Sequence, residues 1–259
     1  MISPLAYVDK EARIGANVTI HPFAYIDKNV EIGDNCTIMP YASILSGTRM
    51  GTDNIIYQGA IIGATPQDFK FKGEDTLLKI GSHNTIREKV ILNRGTNTTD
   101  CTIIGDGNFL LEGVHLAHDT HLGSHCVLGN GAKTAGNCII DDKAILGSEV
   151  IVKHGCRIGS WALLRDGCRA NKDVPPYIVA AHNPISYYGI NALILAKEGH
   201  LTENVIDNIA KCYRQIYQCG TSLENALRRI KDIIPLSPEI TYLVDFIEQS
   251  KKGIIGTTM

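Results

Sequence analysis

Ile26-Asp27-Lys28-Asn29-Val30-Glu31-Ile32-Gly33-Asp34-Asn35-Cys36-Thr37-Ile38 puts a large aliphatic residue at every sixth position and a small or short one four residues after each. The beat runs back through Ile20, Ile14 and Val8 to Ile2, and forward through Ile44, Met50 and Ile56 to Ile62. It returns at Ile80, Ile86 and Leu92, then from Ile104 to Ala170, where only Thr134 and Ala170 lack a large apolar lead. Fixed self-similarity of this kind marks a repeat architecture. A period of six fits neither an α-helix nor a stack of hairpins. It fits a triangular β-solenoid in which three hexads make an 18-residue coil. Leads point into the prism, and the small fourth-offset residue lets the corner close. Coils stack at about 4.8 Å, so each interior side chain meets its counterpart 18 residues away. Two interruptions, roughly 63–79 and 95–103, leave the prism as loops.

The composition agrees. Of 259 residues, 44% are hydrophobic but only 6% aromatic, while 35 are isoleucine. Such a core is built from β-branched stacks rather than rings. The formal charge of −2 argues against a nucleic-acid partner or a polybasic membrane surface. No apolar run reaches the length of a membrane span, and Met1-Ile2-Ser3-Pro4-Leu5 has no signal-peptide character. Eight cysteines without a secretory signal suit a reducing compartment. Cys36, Cys126, Cys138, Cys156 and Cys168 occupy small inward positions and read as buried thiols. Cys138 and Cys156 stack on adjacent coils but are poorly aimed for a disulfide.

Past Asp173 helical periodicity replaces the beat. A short helix is expected over Ile190–Lys197, and Thr202 caps a second that Gly220 ends. Thr221-x-x-Glu224 reads as a capping box for a third, and Ser237-Pro238-Glu239 opens a fourth. These helices close an otherwise unpaired solenoid end.

Four of nine histidines fall between His115 and His125. Leu116 points inward, so His118 sits at a corner with Asp119 beside it. Eighteen residues on, Gly136 presents bare backbone at the same corner, and His154 follows one coil further. A base next to an unshielded N–H is what an oxyanion site requires. Three readings stand: solvated corner histidines, a metal site, or general-base catalysis with a backbone oxyanion donor. The order His118-Asp119 with Gly136 favours the third.

Ile86-Arg87-Glu88, Asn93-Arg94-Gly95-Thr96, His115-Leu116-Ala117-His118-Asp119 and Asp173-Val174-Pro175-Pro176-Tyr177, set on hexads with a helical tail, resemble the acyl-carrier-protein–UDP-N-acetylglucosamine O-acyltransferase family. The resemblance runs from Ile2 nearly to the C-terminus. It implies a mainly β fold, a left-handed parallel β-helix over 1–184 followed by a C-terminal α-helical domain over 185–259. It also implies a cytoplasmic homotrimer with sites between subunits, acting at the first step of lipid A biosynthesis in a Gram-negative bacterium. The partners are acyl carrier protein and UDP-N-acetylglucosamine, with neither nucleic acid nor stable membrane insertion. No cofactor or metal is implied, because the phosphopantetheine arm belongs to the carrier protein.

By the same resemblance His118 is the general base toward the sugar 3-hydroxyl, Asp119 its supporting carboxylate and Gly136 the oxyanion donor. His115 matches a substrate-positioning histidine. Gln67-Asp68-Phe69-Lys70 matches a sugar- and phosphate-contacting segment, with Gln67, Asp68 and Lys70 as its ligands. Asn191 matches a ligand contact, and Lys197 stands where the family carries an arginine. Asn137 and Leu193 depart from the pattern. Lys153-His154-Gly155 shifts a substrate-binding histidine by one place, to His154. Lys143, Lys153, Arg157, Arg165, Arg169 and Lys172 form either a carrier-protein dock or, with the interleaved acids, a solvated face. The rival activities are an N-acyltransferase on a UDP-3-amino sugar and a metal-dependent hydratase on the same fold. The N-acyltransferase family carries a uridine-binding domain ahead of the first hexad, whereas this beat begins at Ile2. A non-catalytic scaffold is the rival outside the enzymes.

Overall fold

The computed structural model describes residues 1–99 and 101–257. The chain coils into a triangular prism with three parallel sheets as its faces, the architecture of a left-handed parallel β-helix. The first face carries strands such as Tyr25–Ile26 and His115–Leu116. The second carries Glu31–Ile32 and His121–Leu122, and the third Thr37–Ile38 and Val127–Leu128. Pairing steps are 18 residues wherever the coil is uninterrupted, as in His115 opposite Lys133 and Leu116 opposite Thr134. The first loop spans 65–77, between strands Ile61–Ala64 and Leu78–Ile80. The second leaves after Ile91–Asn93 and rejoins at Thr102–Ile104; its Asp100 lies outside the described residues, as do 258–259.

Every lead from Ile20 to Ala170 is buried, and each fully buried isoleucine or leucine contributes about 1.5–3 kcal/mol. Ile2 is half exposed, because the first coil has only one neighbour. The five inward cysteines are buried, and burial pushes the Cys126 and Cys138 thiols up to about 12. The fourth-offset residues are core as well, but they do not make the turn. The corner is turned one position earlier, where the third-offset residue adopts a left-handed backbone, as at Asn17, Asn29, Asn35, Gly107 and Asp119. Asparagine, aspartate and glycine tolerate this conformation, which explains their recurrence there. The glycine that follows many leads has a different cause. A Cβ on Gly33 would lie 2.7 Å from the backbone of Gly51, so at this place on the second face the coils come as close as they do because the atom is missing.

The second corner satisfies its own amides. Asp34 Oδ1 accepts from Ala16 N, Asp106 Oδ1 from Ser82 N and Asp142 Oδ1 from Ser124 N, each side chain reaching the coil before it. At the last coil no further hexad exists, and Tyr242 Oη accepts from Ser160 N at 2.9 Å instead. Asp173, first residue of the Asp-Val-Pro-Pro-Tyr run, accepts from Arg157 N and from Ser250 Oγ, fastening the last coil to the C-terminal segment.

Between solenoid and helices lies an element the periodicity did not announce. Ile178–Ala181 continues the third face, and Ser186–Ile190 returns antiparallel to it. Gly256–Thr257 then adds a final strand. Four helices follow the hairpin: α1 (Ala192–Lys197), α2 (Glu203–Tyr217), α3 (Leu223–Ile233) and α4 (Pro238–Glu248). Thr202 and Ser237 cap α2 and α4 as expected. The cap of α3 is Ser222, not Thr221, because Ser222 Oγ is the acceptor for Asn225 N. Tyr213 of α2 stacks on Tyr187 and donates to the Pro176 carbonyl, which seats the helices on the hairpin.

Candidate active site

The four clustered histidines do not converge. His115 lies on the first face, His118 at the first corner, His121 on the second face, and His125 at the second corner against Gly107. Among the described residues no group of three or more His, Cys, Asp or Glu is placed to hold a metal ion.

His118 is only 8% exposed. Its Nδ1 is 2.8 Å from Asp119 Oδ2. A carboxylate only accepts, so Nδ1 carries a proton, and in the neutral ring Nε2 keeps the lone pair. Burial pushes the Asp119 carboxyl up, yet the bonds from His118 and Thr96 outweigh it and hold it below the usual carboxylate value. Thr96 donates twice, its backbone N–H to Oδ1 at 2.9 Å and its hydroxyl to Oδ2 at 2.7 Å. Asp119 N in turn donates to Thr102 Oγ1. The left-handed conformation of Asp119 lets one residue turn the corner and aim its carboxylate back at the preceding ring.

Gly136 lies one coil along, as the 18-residue pairing requires. A Cβ on it would fall on the imidazole of His118, so only glycine admits the ring. Its neighbours Ala135 and Asn137 donate their N–H groups to Val152 and His118 carbonyls. The buried Gly136 N–H makes no such bond among the described residues. Beneath this corner the core turns polar. Thr134 Oγ1 accepts from Ala117 N and meets the hydroxyl of Thr120. Thr134 was one of two breaks in the apolar beat, and the break marks the site.

His115 Nε2 is 2.7 Å from Asn93 Oδ1, while Asn93 Nδ2 donates to the Thr65 carbonyl. With the amide oriented by Thr65, Nε2 of His115 must be the donor. Burial, then Lys133, holds the His115 pKa below its ordinary 6.5, and the neutral ring offers Nδ1 as an acceptor. Thr65 opens the first loop, whose Asp68 Oδ2 stands 3.7 Å from His118 Nε2. Gln67 and Lys70 on the same loop are exposed.

Two regions match known families. Residues 11–40, 29–64 and 101–136 match the bacterial transferase hexapeptide repeat, and 173–255 match the second domain of the UDP-N-acetylglucosamine O-acyltransferases. The acyl-[acyl-carrier-protein]–UDP-N-acetylglucosamine O-acyltransferase of Halorhodospira halophila is 44% identical over 255 residues, covering 98% of both chains. That of Thermodesulfovibrio yellowstonii is 38% identical over 98% of this chain and 96% of its own. The crystal structure of LpxA, a UDP-N-acetylglucosamine acyltransferase from Bacteroides fragilis, superposes with a TM-score of 0.95 at 50% identity, covering 98% of this chain and 100% of that one. The chain belongs to the UDP-N-acetylglucosamine O-acyltransferase family.

Not every position matched to this acyltransferase family lies at the first corner. His118, Gly136 and His154 share one column by register, with His154 exposed. Asn191 is buried at the second corner, where its Nδ2 donates to the Trp161 carbonyl. Lys197 is exposed in the last turn of α1. One chain therefore brings together His118, Asp119, Gly136 and Asp68, sets His115 on the adjoining face, and holds Asn191 and Lys197 apart from them. Asn93 and Thr96 were visible in sequence only as part of a motif. Asn93 directly follows a lead and is wholly buried, and an amide beside the apolar column was the available signal.

Proposed function

We propose that the protein transfers a 3-hydroxyacyl chain from acyl carrier protein to the 3-hydroxyl of UDP-N-acetylglucosamine, the first step of lipid A biosynthesis. The observation that carries this reading is one corner holding a His–Asp pair with Nδ1 turned to the carboxylate and, beside the ring, a backbone N–H unbonded among the described residues. His118 Nε2 takes the proton of the sugar hydroxyl as that oxygen forms a bond to the thioester carbonyl carbon. The Gly136 N–H donates to the oxyanion so formed, a contact that strengthens only as charge develops. When the carbon–sulfur bond breaks, the thiolate of the carrier's phosphopantetheine leaves and takes the proton from Nε2. Asp119 stabilises the imidazolium between these steps.

Asp68 faces the same nitrogen and meets a sugar hydroxyl entering there, with Gln67 and Lys70 further along its loop. His115, through Nδ1, accepts from a donor on the acceptor substrate, and His154 extends the column along which the acyl chain lies. Asn191 and Lys197 contribute from a neighbouring subunit of a homotrimer, which accounts for their distance from His118 within one chain. The protein supplies no cofactor of its own, and the reaction takes place in the cytoplasm. No helix among the described residues is long and apolar enough to cross a membrane.

His118→Ala tests the reading. Turnover of acyl carrier protein substrate with UDP-N-acetylglucosamine should fall by roughly 10²–10⁴-fold with the fold and oligomer unchanged. Turnover equal to that of the parent enzyme would overturn it. Parallel assays with a 3-amino acceptor separate the O-acyl from the N-acyl reaction.

A further inference from the structure

Asn93-Arg94-Gly95-Thr96 is a motif to which the proposed chemistry gives no task, yet each of its members is fixed in place. Asn93 bonds His115 and the Thr65 carbonyl. Arg94 Nε donates to Thr76 Oγ1, and its guanidinium lies 5.6 Å from the centre of the Phe71 ring, so it spans the first loop. Gly95 N donates to the Leu77 carbonyl at 3.0 Å, and Thr102 N to the same oxygen at 3.3 Å. The second loop is thus pinned on both sides of its excursion. Thr96 is the first residue past one pin, and it is there that the chain meets Asp119.

We propose that Thr96 is a positioning residue that sets the His118–Asp119 pair in its working orientation. This rests on His118 being the base. A carboxylate on a side chain with two free torsions can turn either oxygen, or neither, toward the neighbouring imidazole. The Thr96 N–H holds Oδ1 and the Thr96 hydroxyl holds Oδ2, from a segment 23 residues earlier in the chain. Two donors from one residue define the carboxylate plane. The oxygen taken by the hydroxyl is the one that accepts from His118 Nδ1. Held so, Asp119 selects the tautomer with Nδ1 protonated, and Nε2 stays free to take a proton. The backbone and hydroxyl bonds of Thr96 at this corner both go to Asp119, and none among the described residues goes to the ring, so it acts through Asp119.

The test pairs Thr96→Val, which keeps the shape and loses the hydroxyl donor, with Thr96→Ser, which keeps the donor. A lost bond to a charged group predicts a kcat lower by roughly 10-fold in Thr96→Val, KM within about twofold, and near-complete recovery in Thr96→Ser. Introduced into Asp119→Ala, Thr96→Val should cost less than about twofold more, because the residue it acts through is gone. Nitrogen NMR of histidine-labelled protein supplies a readout independent of turnover. The signature of His118 protonated at Nδ1 should weaken in Thr96→Val and return in Thr96→Ser. Should Thr96→Val not fold, Thr96→Ala is read in the same way. Unchanged kcat, an equal loss in both backgrounds, or a lost kcat with the Nδ1–H signature kept would each overturn the proposal. Parent enzyme that transfers no acyl group would instead overturn the catalytic reading, and the NMR arm would still decide the role of Thr96.

Discussion

The first and second corners of the prism share a backbone turn, an 18-residue register and a left-handed residue in most hexads, yet they do opposite things with their polar groups. At the second corner, aspartates and serines from one coil take up amides of the coil before, and Tyr242 completes the column at its end. At the first corner beside His118, the Gly136 N–H has no partner among the described residues, and Nδ1 of the imidazole, not Nε2, is the nitrogen bonded to Asp119. The second corner is a structural seam. The first becomes a site where no side chain of the next coil takes up the amide. What distinguishes Gly136 is that its N–H lies beside a base.

Glycine substitutions at the two corners should therefore fail differently. Gly136→Ala drives a Cβ into the His118 ring, and it should lower kcat by about 10²-fold or more with little change in melting temperature. On the second face, Gly105→Ala meets the Gly123 backbone at 2.7 Å, so it should cost about 1–3 kcal/mol of stability. Its residual folded fraction should turn over normally. Denaturation and steady-state kinetics on both variants measure the contrast. If Gly136→Ala is merely unstable, the distinction between site and seam is lost.

A milder challenge addresses how the seam ends. Tyr242→Phe removes the acceptor of Ser160 N and the donor to Asp141 Oδ2, 2.7 Å away. The expected outcome is a loss of about 1–3 kcal/mol with kcat unaltered. A change in kcat larger than twofold would mean that the end of the second corner communicates with the first.

The register of the leads was legible because burial in a prism demands a large apolar side chain at one position per face, and nothing else supplies a strict six. It carried the column of His118 and Gly136 with it, since stacking at 18 is arithmetic. The turn was legible only in part. Asn17, Asn35 and Gly107 advertise a left-handed residue, but Phe23, Tyr41 and Trp161 occupy the same place and hide the pattern. The hairpin Ile178–Ile190 escaped because it breaks the beat without starting a helical one. Thr96 and Asn93 escaped for a different reason. Their partners lie 22 or 23 residues away across a loop whose path no period describes.

The smallest effect concerns the histidine on the first face rather than the one at its corner. His115 is held below its ordinary 6.5 by burial and by Lys133, so the unfolded chain takes up a proton near that pH which the folded protein refuses. Stability is then full above about 6.5 and falls as pH drops from there toward the folded value, with a slope of at most about 1.4 kcal/mol per pH unit from one group. Asp119 acts in a separate window. Its depressed pKa supports the fold above the ordinary 3.8, and that support is lost only in stronger acid. Denaturant midpoints between pH 7 and 5 should therefore slope less in His115→Gln than in the parent protein. Identical slopes would mean that the ring takes up its proton in the folded state as readily as in the unfolded chain, and that its bond to Asn93 survives in the imidazolium, where both nitrogens donate. Below about pH 6.5 His115 would then meet the substrate with a donor at Nδ1 rather than an acceptor, and the group it recognises there would have to be an acceptor.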